Sequence, residues 1–130
     1  GKGGIGKSVI ATNLSACYAL SGQRVLHIGC DPKHDSAMRL TDTEGEIKTV
    51  LEQIGDNPKG VSAADIINPG RHGIECCESG GPSPGVGCAG RGVARTLEFL
   101  EEIDIFASRK YDVAVFDVLG DVVCGGFAMP

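Results

Sequence analysis

Residues Gly1-Lys2-Gly3-Gly4-Ile5-Gly6-Lys7-Ser8 decide the fold. They satisfy the G-x-x-x-x-G-K-[ST] phosphate-loop pattern from the first position onward. Such a loop works because successive backbone N–H groups, here those of Gly3 to Lys7, converge on a phosphate. The helix that follows adds the positive end of its dipole. Ser8 to Ser21 supplies that helix, with apolar residues at 9, 10, 14, 17, 18 and 20 predicting a mostly buried segment that Gly22 stops. Lys7 would then contact the β- and γ-phosphates and Ser8 would bind Mg²⁺.

Outward from the loop, strand and helix signals alternate. Arg24 to Gly29 reads as a short buried parallel strand, and Tyr111 to Val118 as a second. Cys30 to Ala37 is polar and contains a proline, which predicts a loop. Helical spacing recurs over Glu44 to Ile54 (Ile47, Val50, Leu51, Ile54), over Ala63 to Ile67, and over Val93 to Ile103. Asn68-Pro69-Gly70 is a breaker cluster, Ile74 to Glu78 a further strand, and Ser79 to Gly92 a Gly/Pro-rich loop. This order predicts an α/β fold with a mostly parallel, doubly wound sheet of the P-loop NTPase type. A phosphate loop needs a strand leading into it. Residues 1–130 are therefore expected to form a single partial domain, a piece of a longer protein that lacks the first strand and a C-terminal part.

Apolar residues at 42% and charged residues at 22% are ordinary for a globular chain and exclude a disordered tail. No apolar run reaches the ~18–20 residues that cross a bilayer, and no leader is visible, so a cytoplasmic protein with no membrane partner is expected. Net charge is −5 with no Lys/Arg run, which argues against nucleic acid as a partner. Glycine is about twice its usual ~7% share, 20 of 130 residues, so much of the backbone must approach something closely.

Asp31 and Asp35 follow the first strand, and Asp117-Val118-Leu119-Gly120 follows the last. Ligands in open parallel sheets bind beyond the carboxyl ends of strands, where all four groups fall. Asp-x-x-Gly is either a plain turn or a switch, in which the Gly120 N–H reports on a γ-phosphate. Lys2 is either a solvated surface lysine or the extra lysine of the deviant Walker A subclass, which reaches the nucleotide of a facing subunit. Cys17 and Cys30 read as small core residues rather than ligands. Adjacent Cys76 and Cys77 cannot both point inward from a strand. Cys88 and Cys124 sit in Gly-rich loops that let backbone approach a bulky ligand and donate N–H groups to sulfur. They are either two buried thiols or half of a ligand set that a two-fold dimer completes.

Four blocks carry a resemblance: Gly1–Ser8, Gly29–Ser36, Glu78–Gly92 and Phe116–Pro130. Together they resemble the nitrogenase iron protein family. The resemblance implies a homodimeric, MgATP-dependent reductase with one 4Fe-4S cluster between subunits. It would be fed by ferredoxin or flavodoxin and dock on a nitrogenase catalytic component. It implies that Cys88 and Cys124 are the cluster ligands and Lys2 the cross-subunit lysine. Asp31 and Asp35 would form one switch, and Asp117 and Gly120 the other. Asp121 would activate water, and Arg91 would be the arginine that some members have ADP-ribosylated. Two features depart from the nitrogenase pattern. Val9-Ile10 replaces a threonine pair, and Asp31-Pro32-Lys33-His34-Asp35 is similar to the ATP-binding subunits of dark-operative protochlorophyllide reductase. That alternative acts on a tetrapyrrole. A positioning ATPase of the same subclass would need a basic patch or an amphipathic terminal helix, and neither is visible.

Overall fold

Helix α1 (Lys7–Leu20) springs from Gly6, whose φ of 77° lies in the left-handed region that a side chain disfavours. The amide of Ile10 donates to the Gly6 carbonyl at 3.0 Å and closes the first turn. The computed structural model describes residues 6–30, 35–41, 46–81 and 89–118. After α1 come β1 (Val25–Gly29), α2 (Asp35–Leu40), α3 (Val50–Ile54), α4 (Ala63–Ile66), β2 (Asn68–Pro69) and a 3₁₀ turn at Arg71–Gly73. Then follow β3 (Glu75–Glu78), α5 (Ala89–Glu102), α6 (Ile105–Ser108) and β4 (Val113–Asp117).

The sheet order among the described residues is β2-β3-β1-β4. β1 lies between β3 and β4, parallel to both, and only the two-residue β2 runs antiparallel. All five β1 residues are buried, which is why the run Val25 to Gly29 shows no polar alternation. Each face of the sheet carries its own core. On one face α1 and α2 pack Ala11, Ala37 and Leu40 against Val25, Cys76 and Val115. On the other, Val50, Ile54, Ile66, Val93, Phe99, Leu100 and Ile105 close over Leu26, Ile28 and Cys77. The sheet is thus doubly wound and mostly parallel, as the sequence predicts. Burying each of the large apolar side chains stabilises the fold by roughly 1.5–3 kcal/mol.

Several sequence expectations need correction. Of the loop expected over Cys30 to Ala37, residues 31–34 lie outside the described residues, and Asp35 to Ala37 are already helical, in α2. Of the helix expected over Glu44 to Ile54, Glu44 and Gly45 lie outside the described residues, and among the rest only Val50–Ile54 is helical. Thr49 caps it by accepting from the Glu52 amide at 3.4 Å and also forms a parallel bridge with Glu78. Ile47 therefore joins the α1/α2 core while Val50 and Ile54 join the opposite one. Asn68 and Pro69 form an edge strand rather than a plain breaker. α1 is less buried than its composition suggests: only Ala11, Thr12 and Ser15 are inside, and Ile10 and Leu20 are about two-thirds exposed. Cys17 is exposed, not a core residue. Cys76 and Cys77 are both buried, because alternate side chains of β3 enter two cores, one on each face of the sheet.

Candidate functional site at the carboxyl edge of the sheet

The three parallel strands end level with one another. Gly29 stands in register with Glu78 on one side and Asp117 on the other, so two carboxylates flank the tip of β1. A side chain at position 29 would force the buried Glu78 carboxylate to move. A β-carbon there would run into the Glu78 carboxylate. Glu78 is fully buried, and its Oε1 accepts from the Ala37 amide at 2.9 Å, tying the head of α2 to the end of β3.

Asp117 is 8% exposed and its Oδ2 finds no hydrogen-bond partner among the described residues. Its backbone carbonyl is used, accepting from the Cys30 amide at 3.0 Å. Leaving a buried carboxylate oxygen unmatched costs on the order of 1–3 kcal/mol or more unless a cation or an ordered donor meets it. α1 packs against β4 and carries the half-buried Ser8 in its first turn. A hydroxyl and a carboxylate oxygen are the donor types that a hard divalent cation takes. Ser8 and Asp117 are thus of the chemical types that such a cation accepts.

Beneath this edge, in the middle of β1, His27 is fully buried. Its Nδ1 lies 2.7 Å from Ser15 Oγ on α1 and its Nε2 2.5 Å from Ser36 Oγ on α2. Burial pulls its pKa down to about 4, against a smaller opposing pull from Asp117, so the ring is neutral at pH 7. Burial, reinforced by Glu78 and Asp117, pushes the Cys30 thiol up to about 12. Burial, with Glu78 and Glu75, does the same to Cys76, and burial with Glu78 raises Cys77 further still. These three thiols stay protonated and are poor ligands or nucleophiles. Among the described residues no group of three or more His, Cys, Asp or Glu side chains is placed to hold a metal ion. No helix among them is long and apolar enough to cross a membrane.

Of the residues the sequence marks, Gly6, Lys7 and Ser8 form the start of α1, Asp35 is the first residue of α2, and Asp117 closes β4. Arg91 is exposed near the start of α5. Gly1, Lys2, Gly3, Gly4, Ile5, Asp31, Cys88, Gly120, Asp121 and Cys124 lie outside the described residues. Sequence reasoning missed His27 and Glu78. The available signal for His27 was one titratable residue inside an otherwise apolar strand run. For Glu78 it was a carboxylate at a strand's carboxyl end. The Thr49-x-x-Glu52 capping box also announced the true start of α3.

Three comparisons bear on this geometry. The family model described as 4Fe-4S iron sulfur cluster binding proteins, NifH/frxC family, matches residues 1–130. The chain is 50% identical to the nitrogenase iron protein of Methanococcus voltae, over all of this chain and 46% of that protein. It is 51% identical to the light-independent protochlorophyllide reductase iron-sulfur ATP-binding protein of Roseiflexus sp. (strain RS-1), again over all of this chain and 47% of that one. The chain thus spans about half the length of these relatives. Among solved structures, cobyrinic acid a,c-diamide synthase from Mycobacterium smegmatis, with bound ATP analog and magnesium, superposes with a TM-score of 0.59 at 17% identity. The match covers 91% of this chain and 48% of that one, a likeness of fold alone.

Proposed function

The chain belongs to the NifH/frxC family of 4Fe-4S iron–sulfur cluster binding proteins, and from that premise we propose that it is the nucleotide-binding and cluster-binding part of an ATP-dependent electron-transfer reductase. The protein works as a homodimer and passes single electrons to a nitrogenase catalytic component, receiving them from ferredoxin or flavodoxin. One observation carries the reading. Asp117 brings to the carboxyl edge a buried carboxylate oxygen that no described residue matches, and Cys124 follows only seven positions later. A nucleotide sensor and a cluster ligand thus share one short stretch of chain.

The residues divide the work as follows. The N–H groups of Gly3 to Lys7 and the Lys7 ammonium grip the β- and γ-phosphates, with Gly1 and Ile5 shaping the loop. Ser8 and Asp117 supply oxygens to Mg²⁺. Lys2 reaches the nucleotide of the partner subunit. Asp31, Asp35 and the Gly120 N–H respond to the γ-phosphate, and Asp121 orients or deprotonates the attacking water. Cys88 and Cys124 from each of two copies provide four thiolates, the number a 4Fe-4S cluster requires. That cluster, when bound, supplies a one-electron carrier. Arg91, exposed beside the Cys88 loop, is open to ADP-ribosylation, which would block docking of the partner.

A second reading has support of its own: a reductase subunit acting on a tetrapyrrole. Identity to the protochlorophyllide reductase relative, 51%, is within one percentage point of the 50% to the nitrogenase relative, and the Lys33-His34 pair resembles the former. Purification of the full-length protein without oxygen tests the shared core, with about four irons and four sulfides per dimer expected. An iron-free or monomeric protein would overturn it. Supplying either a nitrogenase or a protochlorophyllide reductase catalytic partner then separates the two substrates.

A further inference from the structure

His27 serves none of the roles assigned so far. It is fully buried in the central strand, out of reach of solvent. Its register neighbours are Cys76 on β3 and Val115 on β4, both buried. A leucine or isoleucine would suit that slot, and a polar ring there is tolerated only when both nitrogens are matched. Both are matched, by serines from different helices. A neutral imidazole has one N–H and one bare nitrogen, so one of these hydroxyls donates to the ring and the other accepts from it.

The two serines are informatively placed. Ser15 lies seven residues after Ser8, two helical turns along the same face of α1, the face that also buries Ala11 and Thr12. Ser36 directly follows Asp35 at the head of α2, and the next amide, that of Ala37, donates to Glu78. Hydroxyls on helices commonly turn back to their own helix, as Thr12 does to the Val9 carbonyl at 3.0 Å. Ser15 instead bonds inward, to β1.

We propose that Ser15–His27–Ser36 is a buried strut that fixes the head of α2, and with it Asp35, against the helix that follows the phosphate loop, making His27 a positioning residue for the nucleotide response. This rests on the reading above that a nucleotide at residues 1–8 is sensed by the segment around Asp31 and Asp35. Displacement of α2 relative to α1 must either break a buried hydrogen bond or carry the sheet with it. Small movements of α1 are therefore passed to the head of α2 through buried hydrogen bonds.

Hydrogen exchange at amides 35–38 of the full-length protein tests the strut without any redox readout. In His27→Leu, which fills the slot but strands two serine hydroxyls, exchange at Ser36 and Ala37 should accelerate at least about tenfold in the absence of nucleotide. His27→Gln, which both donates and accepts, should restore the wild-type rate. If His27→Leu does not fold, Ser36→Ala cuts the α2 end alone and should show the same acceleration. Unchanged exchange in the folded variant, or failure of glutamine to restore it, would overturn the strut. The difference between MgADP and MgATP at the same amides should also shrink in the leucine or alanine variant. If wild type shows no such difference while the nucleotide-free acceleration is present, the strut stands and the switch reading of the segment falls.

Discussion

Glu75 and Glu78 sit on the same four-residue strand, yet they live in opposite circumstances. At the amino end, Glu75 is surrounded by partners. Arg109 reaches it through Nε at 2.8 Å and Nη2 at 2.6 Å, Arg24 Nη2 lies at 3.2 Å, and the Tyr111 hydroxyl donates as well. Burial alone would raise its pKa, but the hydrogen bonds from Arg109 and Tyr111 hold it below the usual glutamate range. At the carboxyl end, Glu78 and Asp117 flank Gly29, and Asp117 keeps an oxygen that no described residue meets. One edge of the sheet closes its charges on itself; at the other, Asp117 keeps an oxygen without a partner among the described residues. Polar groups that only hold a fold together are saturated internally. The asymmetry supports the proposal that the carboxyl edge is the working one.

Asp117→Asn should break that comparison most severely. The substitution keeps the shape but removes the charge, so stability should hold or rise, since a buried unmatched carboxylate is a liability. Nucleotide-coupled electron transfer should fall on the order of 10³-fold, the scale set by losing a preorganised charge partner. The cluster should still assemble, but MgATP should no longer expose its iron to a chelator. Normal ATP-triggered chelation in this variant would refute the coupling between Asp117 and Cys124.

The next effect is on stability against pH. His27 titrates near 6.5 when unfolded and about 4 when folded. Between those values the unfolded chain binds more protons, so stability falls as pH drops from about 6.5 to about 4 and levels off below. The loss is on the order of 3 kcal/mol. Urea midpoints across that window should show it, and His27→Gln should abolish the component. A glutamine variant with the wild-type slope would assign the pH dependence to other groups.

The same contrast explains what the sequence could disclose. The apolar runs of β1 and β4 are local signals, and both strands lie within two residues of their expected bounds, whereas α5, expected from Val93, already begins at Ala89 inside the stretch expected as a Gly/Pro-rich loop; of the phosphate loop, residues 1–5 lie outside the described residues. α2 is not local. Six residues of mixed polarity form a helix whose head is held by Glu78 from 41 positions away. The strut through His27 joins three elements, and its serines are individually unremarkable in sequence. The two thiols of Cys76 and Cys77 could be placed only once both faces of β3 were known to be covered. Of the candidate site, the motif residues were legible, whereas the buried groups that hold them in place depended on which strands become neighbours.

The smallest expected effect lies at the closed edge. Arg109→Met retains the apolar stem and removes the guanidinium from Glu75, leaving Arg24 and Tyr111 as its partners. The pair is only partly buried, with side-chain exposures of 32% and 17%, so screening by water limits its worth. A loss of about 1 kcal/mol is expected, diminishing in high salt. Nucleotide affinity and electron transfer should stay within about twofold of wild type, because the side-chain hydrogen bonds of Arg109 go to Glu75 and Tyr111, at the opposite end of β3 from the carboxyl edge. A large functional defect in this variant, with stability intact, would show that the two ends of the sheet are energetically linked, and the division of labour between Glu75 and Asp117 would have to be abandoned.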